Sequence, residues 1–329
     1  MRIATFNLES LDLPPKAGVP LEERAAVLRP DLQRLEADIL CLQEVNGQHV
    51  PGRAERVLAA LDLLLDGTQY ATFHRVSTHA RAAAAASAGG VADVHNLVTL
   101  SRWPITSAQE VRHVFVPPVE VRLATRVPNI DQGEALRFER PLLVVEIGLP
   151  GGETLVVVNV HFRAPLATAI AGQKLSPFVW RTIGGWAEGM YLSEIKRTGQ
   201  ALELRLLLDD LLEREPERLI MVAGDFNAED HEAPLEIVIG AQEATGNGAL
   251  EARAMVLLDR AIPEDRRWSL MHHGRPQMVD HMLASRALYG RCRGIAVHNE
   301  ALGDEAVGYA KKIDPPGSYH AAVVAELRD

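Results

Sequence analysis

The stretch Met221-Val222-Ala223-Gly224-Asp225-Phe226-Asn227 decides how the chain is read. The apolar run Leu219 to Ala223 predicts a buried strand. It ends in a glycine, then an acid, then an amide two residues on. Residues i and i+2 of an extended chain share a face. Asp225 and Asn227 therefore reach one spot just beyond the strand, provided the backbone stays extended past Gly224. A carboxylate and a carboxamide at one point make an oxygen-rich site suited to a hard cation or a phosphate group.

Outward from that stretch, other apolar runs read the same way. Ile3 to Phe6, closed by Asn7, predicts a first strand, and Asp38 to Glu44 a second. Asn96 to Ser101, Val279 to Leu283 and Ala321 to Leu327 are further strands. Phe138 to Ile147 and Thr154 to His161 flank Pro150-Gly151-Gly152, a hairpin signal. Leu21, Ala25, Leu28, Leu32 and Leu35 recur at helical spacing, with Pro30 expected to kink or restart that helix. Val57, Leu58, Leu61 and Leu64 give another helix, and Tyr191 to Leu212 gives the best one in the chain. Ala233 to Ile239 is a short helix. Tyr70 to Val76 alternates weakly, and Arg81 to Gly90 is alanine-rich and of low complexity. Ala164 to Gly189 shows no period. Many short strands with a few helices fit two packed sheets covered by helices. A doubly wound parallel sheet is the alternative, disfavoured by the hairpin and by the lack of a glycine-rich loop after the first strand. There is no internal repeat and no linker, so residues 1–329 read as one domain.

Composition narrows the function classes. The chain has 329 residues, 47% hydrophobic and 24% charged, which is the make-up of a folded globular protein. No apolar run approaches the roughly 20 residues that span a membrane, and no signal-peptide pattern opens the chain. The expectation is a soluble, cytoplasmic protein. Cys41 and Cys292 make neither a disulfide framework nor a metal site. The net charge of −10, from 44 acids against 34 bases, lowers the odds of a strong non-specific DNA binder.

The informative pattern is repeated punctuation. Strand runs end in Asn7, Glu44, Asn159 and His161, Asp225 and Asn227, and Asp280 and His281, and His320 precedes the final strand. Any one of these is more often a cap, a turn former or a structural histidine than a catalyst. Together, if the strands share a sheet edge, they converge on one acidic pocket. Clustered carboxylates repel one another unless a cation neutralises them, and Mg²⁺ held by one or two carboxylates meets that need.

These residues carry a family resemblance. Ala4-Thr5-Phe6-Asn7, Leu42-Gln43-Glu44, Asn96 to Arg102, Arg140-Pro141-Leu142, Asn159-Val160-His161, Gly224-Asp225-Phe226-Asn227, Val279 to Met282 and Ser318-Tyr319-His320 resemble, in order, the motifs of the endonuclease/exonuclease/phosphatase superfamily. That superfamily includes abasic-site endonucleases, deoxyribonucleases, sphingomyelinases and inositol-polyphosphate phosphatases. The resemblance implies an α+β fold, a four-layer α/β/β/α sandwich of two mainly antiparallel sheets. It implies hydrolysis of a phosphate ester by activated water with one Mg²⁺ or Mn²⁺ ion. Glu44 matches the principal metal ligand and Asn7 the amide near metal and phosphate. Asp225 matches the group that orients or deprotonates the water, and Asn227 and His161 the phosphate-contacting pair. Asp280 matches the acid that orients the catalytic histidine, and His320 matches that histidine. Arg140 and Arg163 are expected on the substrate side.

One position departs from the pattern. The family usually has Ser-Asp-His where this chain has Ser318-Tyr319-His320, and a neutral phenol is a poor Mg²⁺ ligand. Three outcomes follow: weaker or altered metal binding centred on Glu44, a ring that faces elsewhere while an acid such as Asp314 compensates, or a site that binds phosphate without turnover. The substrate is not written in the motifs. Net charge favours a small-molecule or lipid-headgroup phosphate over long DNA, a nuclease is the alternative, and a catalytically weak binding or scaffold protein is the rival from another class. Ala164 to Gly189, with Arg163, Lys174, Phe178, Trp180, Arg181 and Trp186, is either a substrate-selecting wall or an ordinary surface loop. Asp93 and His95 have no assignment, and His272-His273 reads as a solvated turn.

Overall fold

A computed structural model describes residues 1–13, 19–79, 90–130, 132–311 and 315–328. Along the chain come β1 (Arg2–Leu11), helix α1 (Leu21–Leu35), β2 (Ile39–Val45), helix α2 (Ala59–Leu65), β3 (His74–Ser77), β4 (Asn96–Ser101) and β5 (Ile105–Val111). A small hairpin, β6 (Val119–Val121) and β7 (Glu134–Leu136), precedes β8 (Leu142–Gly148) and β9 (Thr154–His161). A second hairpin, β10 (Lys174–Ser176) and β11 (Val179–Trp180), leads into α3 (Ile183–Arg214), β12 (Leu219–Asp225), α4 (Ala233–Ile239) and β13 (Val256–Leu257). The hairpin β14 (Leu270–His272) and β15 (Arg275–Gln277) is followed by β16 (Asp280–Ala284), β17 (Cys292–His298) and β18 (Ala322–Leu327).

Twelve of these strands form two six-stranded sheets, ordered β17-β18-β1-β2-β4-β3 and β13-β16-β12-β9-β8-β5. Both are antiparallel except for one central parallel pair each, β1 with β2 and β9 with β12. Period-2 alternation gives every central strand two apolar faces. Ala4, Phe6, Leu40 and Leu42 pack under Leu28 and Leu32 of α1 and Leu61 and Leu64 of α2. Val156, Val158, Ile220 and Val222 pack under Leu204 and Leu208 of α3 and Leu235 of α4. Ile3, Ile39, Cys41, Val157, Met221, Ala223 and Met282 fill the seam between the sheets. Three apolar layers separate four structural ones, which is the expected α/β/β/α sandwich.

Several local expectations change. β1 runs through Asn7 to Leu11, and its pairing with β2 slips between Asn7 and Leu11, where Glu9 and Ser10 adopt φ of 49° and 52°. α1 continues through Pro30 without restarting. The carbonyl that Pro30 cannot bond belongs to Ala26 on the exposed face, where water can serve it. The second helix starts at Ala59, after Val57 and Leu58. α3 begins at Ile183, eight residues before the periodic run, with the Thr182 side chain accepting from Gly185 N–H. Residues 183–189 are thus its first turns, hidden in sequence by three glycines. The hairpin at Pro150-Gly151-Gly152 forms as read, with Gly152 at φ 84°, a conformation in which a side chain is strained. Residues 81–89 of the alanine-rich tract, and Asp314, lie outside the described residues. No helix among the described residues is long and apolar enough to cross a membrane.

Candidate active site

Parallel pairing brings strand ends out on one side. β1 and β2 deliver Asn7 and Glu44 to one end of the first sheet, and β9 and β12 deliver His161 and Asp225 to the matching end of the second. Asp225 is in register with His161 on one side and with Asp280 on the other. All three share the strand faces on which Val157, Ala223 and Met282 line the seam, so they form one row looking at the first sheet. Gly224 permits that register, because a Cβ there would sit 2.0 Å from the Val160 carbonyl oxygen. Beneath the row, Gln43 donates to Asn159 Oδ1 at 2.8 Å, and Asn159 donates to the Leu42 and Val98 carbonyls at 3.2 and 3.0 Å. These buried bonds tie the sheets together at the floor of the site.

Glu44 needs a backbone change to join. Gln43 faces the seam, so strict alternation would aim Glu44 at α1. Instead Glu44 takes a left-handed φ of 58°, and the β2–β4 register shifts between Leu42 and Val45. Its Oε2 accepts from Ser10 N–H at 2.9 Å and Ser10 Oγ–H at 3.0 Å. Its Oε1 faces Asn7 Nδ2 at 3.5 Å, His161 Nε2 at 3.7 Å and His95 Nδ1 at 3.8 Å. Asn7 also donates to Asp225 Oδ2 at 3.0 Å, while its Oδ1 accepts from Glu9 N–H at 2.9 Å. His161 Nε2 stands 3.4 Å from Asp225 Oδ2. Asp280 Oδ2 is 2.7 Å from His320 Nδ1.

Asn227 meets Asp225, but not by strand alternation. The strand stops at Asp225, and Asn227 turns to φ 49°. Its N–H bonds Asp225 Oδ1 at 2.8 Å and its amide bonds Asp225 Oδ2 at 3.1 Å and the Phe162 carbonyl at 3.1 Å. Arg140 donates to that same carbonyl at 2.7 Å, and its charge is felt at Glu44 and Asp225. Arg163 is turned toward Ser193 Oγ at 3.4 Å and the Leu166 carbonyl at 3.3 Å. Of the 164–189 stretch, the β10–β11 hairpin stands out from the surface, with Phe178 95% exposed. Tyr319 is buried with Leu270 and Val279 and stands edge-on to Tyr309, ring centroids 5.4 Å apart. The ring lies in an apolar cluster, and Asp314, the acid expected to compensate for a ring that faces elsewhere, falls outside the described residues. Tyr309 in turn donates a short hydrogen bond to Glu9.

Electrostatics follow from this crowding. Burial, then the neighbouring Asp280, pushes the Asp225 carboxyl up to about 7. Burial raises Glu44 too, but the charges of His95, Arg140 and His320 and the Ser10 bond outweigh it, and its carboxyl lies below the usual range. Burial, then Arg140, His95 and His320, drives His161 well below the ordinary imidazole range, so it is neutral at neutral pH. Burial lowers His320 as well, yet Asp280 and Asp225 overcome that and hold it well above the usual value. Burial and the Glu44 charge raise Glu9. Four acids, Glu9, Glu44, Asp225 and Asp280, thus act on one mouth, and Asp280 Oδ1 is buried without a hydrogen-bond partner among the described residues. That donor set suits a divalent cation.

The family model described as Endonuclease/Exonuclease/phosphatase family matches residues 4–320. The chain belongs to the endonuclease/exonuclease/phosphatase family. Its members include metal-dependent nucleases and phosphatases. Among solved structures, it is similar to a family protein from Leptotrichia buccalis (12% identity, 100% of both chains, TM-score 0.56). It is also similar to an AP endonuclease from Archaeoglobus fulgidus (14% identity, 100% of both chains, TM-score 0.53). A third is a 3'-5' exonuclease from Neisseria meningitidis (17% identity, 100% of both chains, TM-score 0.53). No curated protein matches the sequence. At these identities the solved structures speak for the fold of this family member. Sequence reasoning missed Glu9, Ser10 and His95 at its site, because three left-handed residues bring them there. His272-His273 sits at the β14–β15 turn, with His272 Nδ1 2.6 Å from Glu305 Oε1.

Proposed function

We propose that the protein is a metal-dependent phosphoric ester hydrolase that uses an activated water molecule. The observation that carries this reading is the meeting of Glu44, Asp225 and the Asp280–His320 pair at one mouth from both sheets. Glu44, with Asn7 beside it, would hold a single divalent ion, which supplies charge neutralisation to the phosphate oxygens. Asp225 orients the attacking water and takes its proton. A carboxyl that titrates near 7 is matched to that task at neutral pH. His320, oriented by Asp280 and held cationic, stabilises the charge that develops on the phosphoryl group and its leaving oxygen. Asn227 fixes Asp225, and Arg140 adds positive charge from the substrate side. His161 stands between Glu44 and Asp225, within reach of either the phosphate or the cation.

For substrate, the net charge of −10 favours a small-molecule or lipid-headgroup phosphate ester. A nucleic-acid substrate is the second reading, favoured by the names of the similar structures, an AP endonuclease and a 3'-5' exonuclease. The projecting hairpin, with Phe178 at its tip, is the part of the 164–189 stretch that would sort between them. A screen of phosphodiester and phosphomonoester model compounds, plasmid DNA and headgroup esters, with Mg²⁺ or Mn²⁺, tests the reading. Turnover that disappears in Glu44→Ala and His320→Ala supports it. A folded protein with no metal-dependent turnover on any of these leaves the binding or scaffold role instead.

A further inference from the structure

The reading above requires a cation beside Glu44 and says nothing of the ligand nitrogen around it. Glu44, His95 and His161 each offer a ligand atom, and these atoms lie within 4.8 Å of one another. The two histidines approach the same oxygen, Glu44 Oε1, at 3.8 and 3.7 Å. Those gaps are too long for hydrogen bonds, which close at about 2.7–3.2 Å. They are near the spacing of ligands around a shared ion, since donors about 2.0–2.2 Å from a tetrahedral centre stand about 3.3–3.6 Å apart. The rings meet edge to face, centroids 5.8 Å apart at 71°, so they are not stacked on each other.

The surrounding chain holds this arrangement in place. Ser10 occupies Glu44 Oε2 with two bonds, and Oε1 faces the two imidazoles and the Asn7 amide. His95 has a left-handed φ of 58°, a conformation unfavourable for histidine, and Asn46 Oδ1 accepts its N–H at 3.0 Å. Asn96, the next residue, ties this turn to Ala92 and Val45 with bonds of 2.8 Å. Glu44 itself is left-handed. Two unfavourable backbone conformations, both secured by hydrogen bonds, converge on one point.

We propose that Glu44, His95 and His161 form a two-histidine, one-carboxylate cation site, selective for a first-row transition-metal dication such as Zn²⁺ or Co²⁺ over Mg²⁺. Imidazole nitrogen suits the later transition metals, whereas Mg²⁺ demands oxygen ligands. The inference rests on the phosphoesterase reading only for the cation's purpose; it assigns His161 to the cation and adds His95. It also gives a physical reason why the chain tolerates Tyr319: nitrogen donors replace the missing carboxylate.

The test is made on the full chain stripped of metal, without substrate. Calorimetric titrations with Zn²⁺, Co²⁺ and Mg²⁺ are compared for the wild type, His95→Ala and His95→Asn. Asparagine tolerates the left-handed backbone, so the second variant keeps the fold if the first does not. The expected result is tighter binding of Zn²⁺ and Co²⁺ than of Mg²⁺. Both variants should lose roughly tenfold or more in Zn²⁺ and Co²⁺ affinity, with Mg²⁺ affinity unchanged. X-ray absorption of the one-equivalent Zn²⁺ protein should show imidazole scattering from two rings, falling to one in His95→Asn. Unchanged Zn²⁺ affinity in a folded His95→Asn protein, or a Zn²⁺ site without imidazole, overturns the proposal. Either result leaves the phosphoesterase reading intact, because that reading falls on other outcomes: no metal-dependent turnover on any substrate, or turnover retained in Glu44→Ala and His320→Ala.

Discussion

Among the described residues, two buried imidazoles, His320 and His281, are each held through Nδ1 by a buried aspartate, and they differ in one respect. At the mouth, Asp280 holds His320 Nδ1 at 2.7 Å, and His320 Nε2 makes no hydrogen bond to the described residues. On the opposite face of β16, Asp259 holds His281 Nδ1 at 3.0 Å, but His281 Nε2 also meets the Ala228 carbonyl at 2.8 Å. Both rings are raised above the ordinary imidazole range: burial opposes it in each, and the partner carboxylate wins. What separates them is the second nitrogen. His281 is saturated and sealed among the residues under α4. His320 keeps one nitrogen available on the side of Asp225, whose carboxyl lies within the same cluster of ligand atoms. An acid–imidazole pair does chemistry only where the fold leaves that nitrogen over.

The sharpest way to break this comparison is to remove each ring. His320→Ala should lower kcat by about 10³-fold or more, the range for losing a positioned acid or base, and because it strands the buried Asp280 it should also cost stability. His281→Ala should cost stability alone. It strands Asp259 in the interior and should cost about 3–5 kcal/mol of stability, while the folded fraction keeps near-normal kcat. Denaturant titration and steady-state kinetics on both variants check this, and equal activity losses would erase the distinction.

Asp225 sharpens it through pH. From about pH 4 to 7 the unfolded chain releases this proton while the folded protein retains it, so rising pH costs stability. With the carboxyl at about 7, Asp225→Asn should raise the stability of metal-free protein at pH 8, by about 4 kcal/mol at most. His320 acts in the same direction, because the stability from its raised value is present below the ordinary imidazole range and lost as pH rises through it. Thermal melts of the metal-free wild type should therefore fall from pH 5 to pH 8, and Asp225→Asn should flatten that slope. A steeper slope in the variant would contradict the assignment. The smallest effect concerns the departure from the family pattern. Tyr319→Asp should raise Mg²⁺ affinity by roughly tenfold, about 1.4 kcal/mol. Unchanged affinity would mean that the carboxylate missing at position 319 has no consequence for the cation.

Much was legible in the residues alone. Apolar runs of strand length bounded by Asn7, Glu44, His161, Asp225 and Asp280 specify buried strands with polar tips, since hydrophobic pattern is a local property of a sequence. The helix periods of α1 and most of α3 were likewise visible. The tertiary structure decided the rest. Pairing β1 with β2 and β9 with β12 in parallel sends four strand tips to one mouth, and no local pattern encodes which strands become neighbours. Left-handed backbone at Glu9, Ser10, Glu44, His95 and Asn227 re-aims side chains that alternation would place elsewhere. Such conformations are uncommon for any residue with a side chain, least so for Asn and His, and here surrounding hydrogen bonds hold them. Which of His281 and His320 keeps a nitrogen for chemistry likewise depended on Asp259 and Ala228, partners that lie 22 and 53 residues from His281 along the chain.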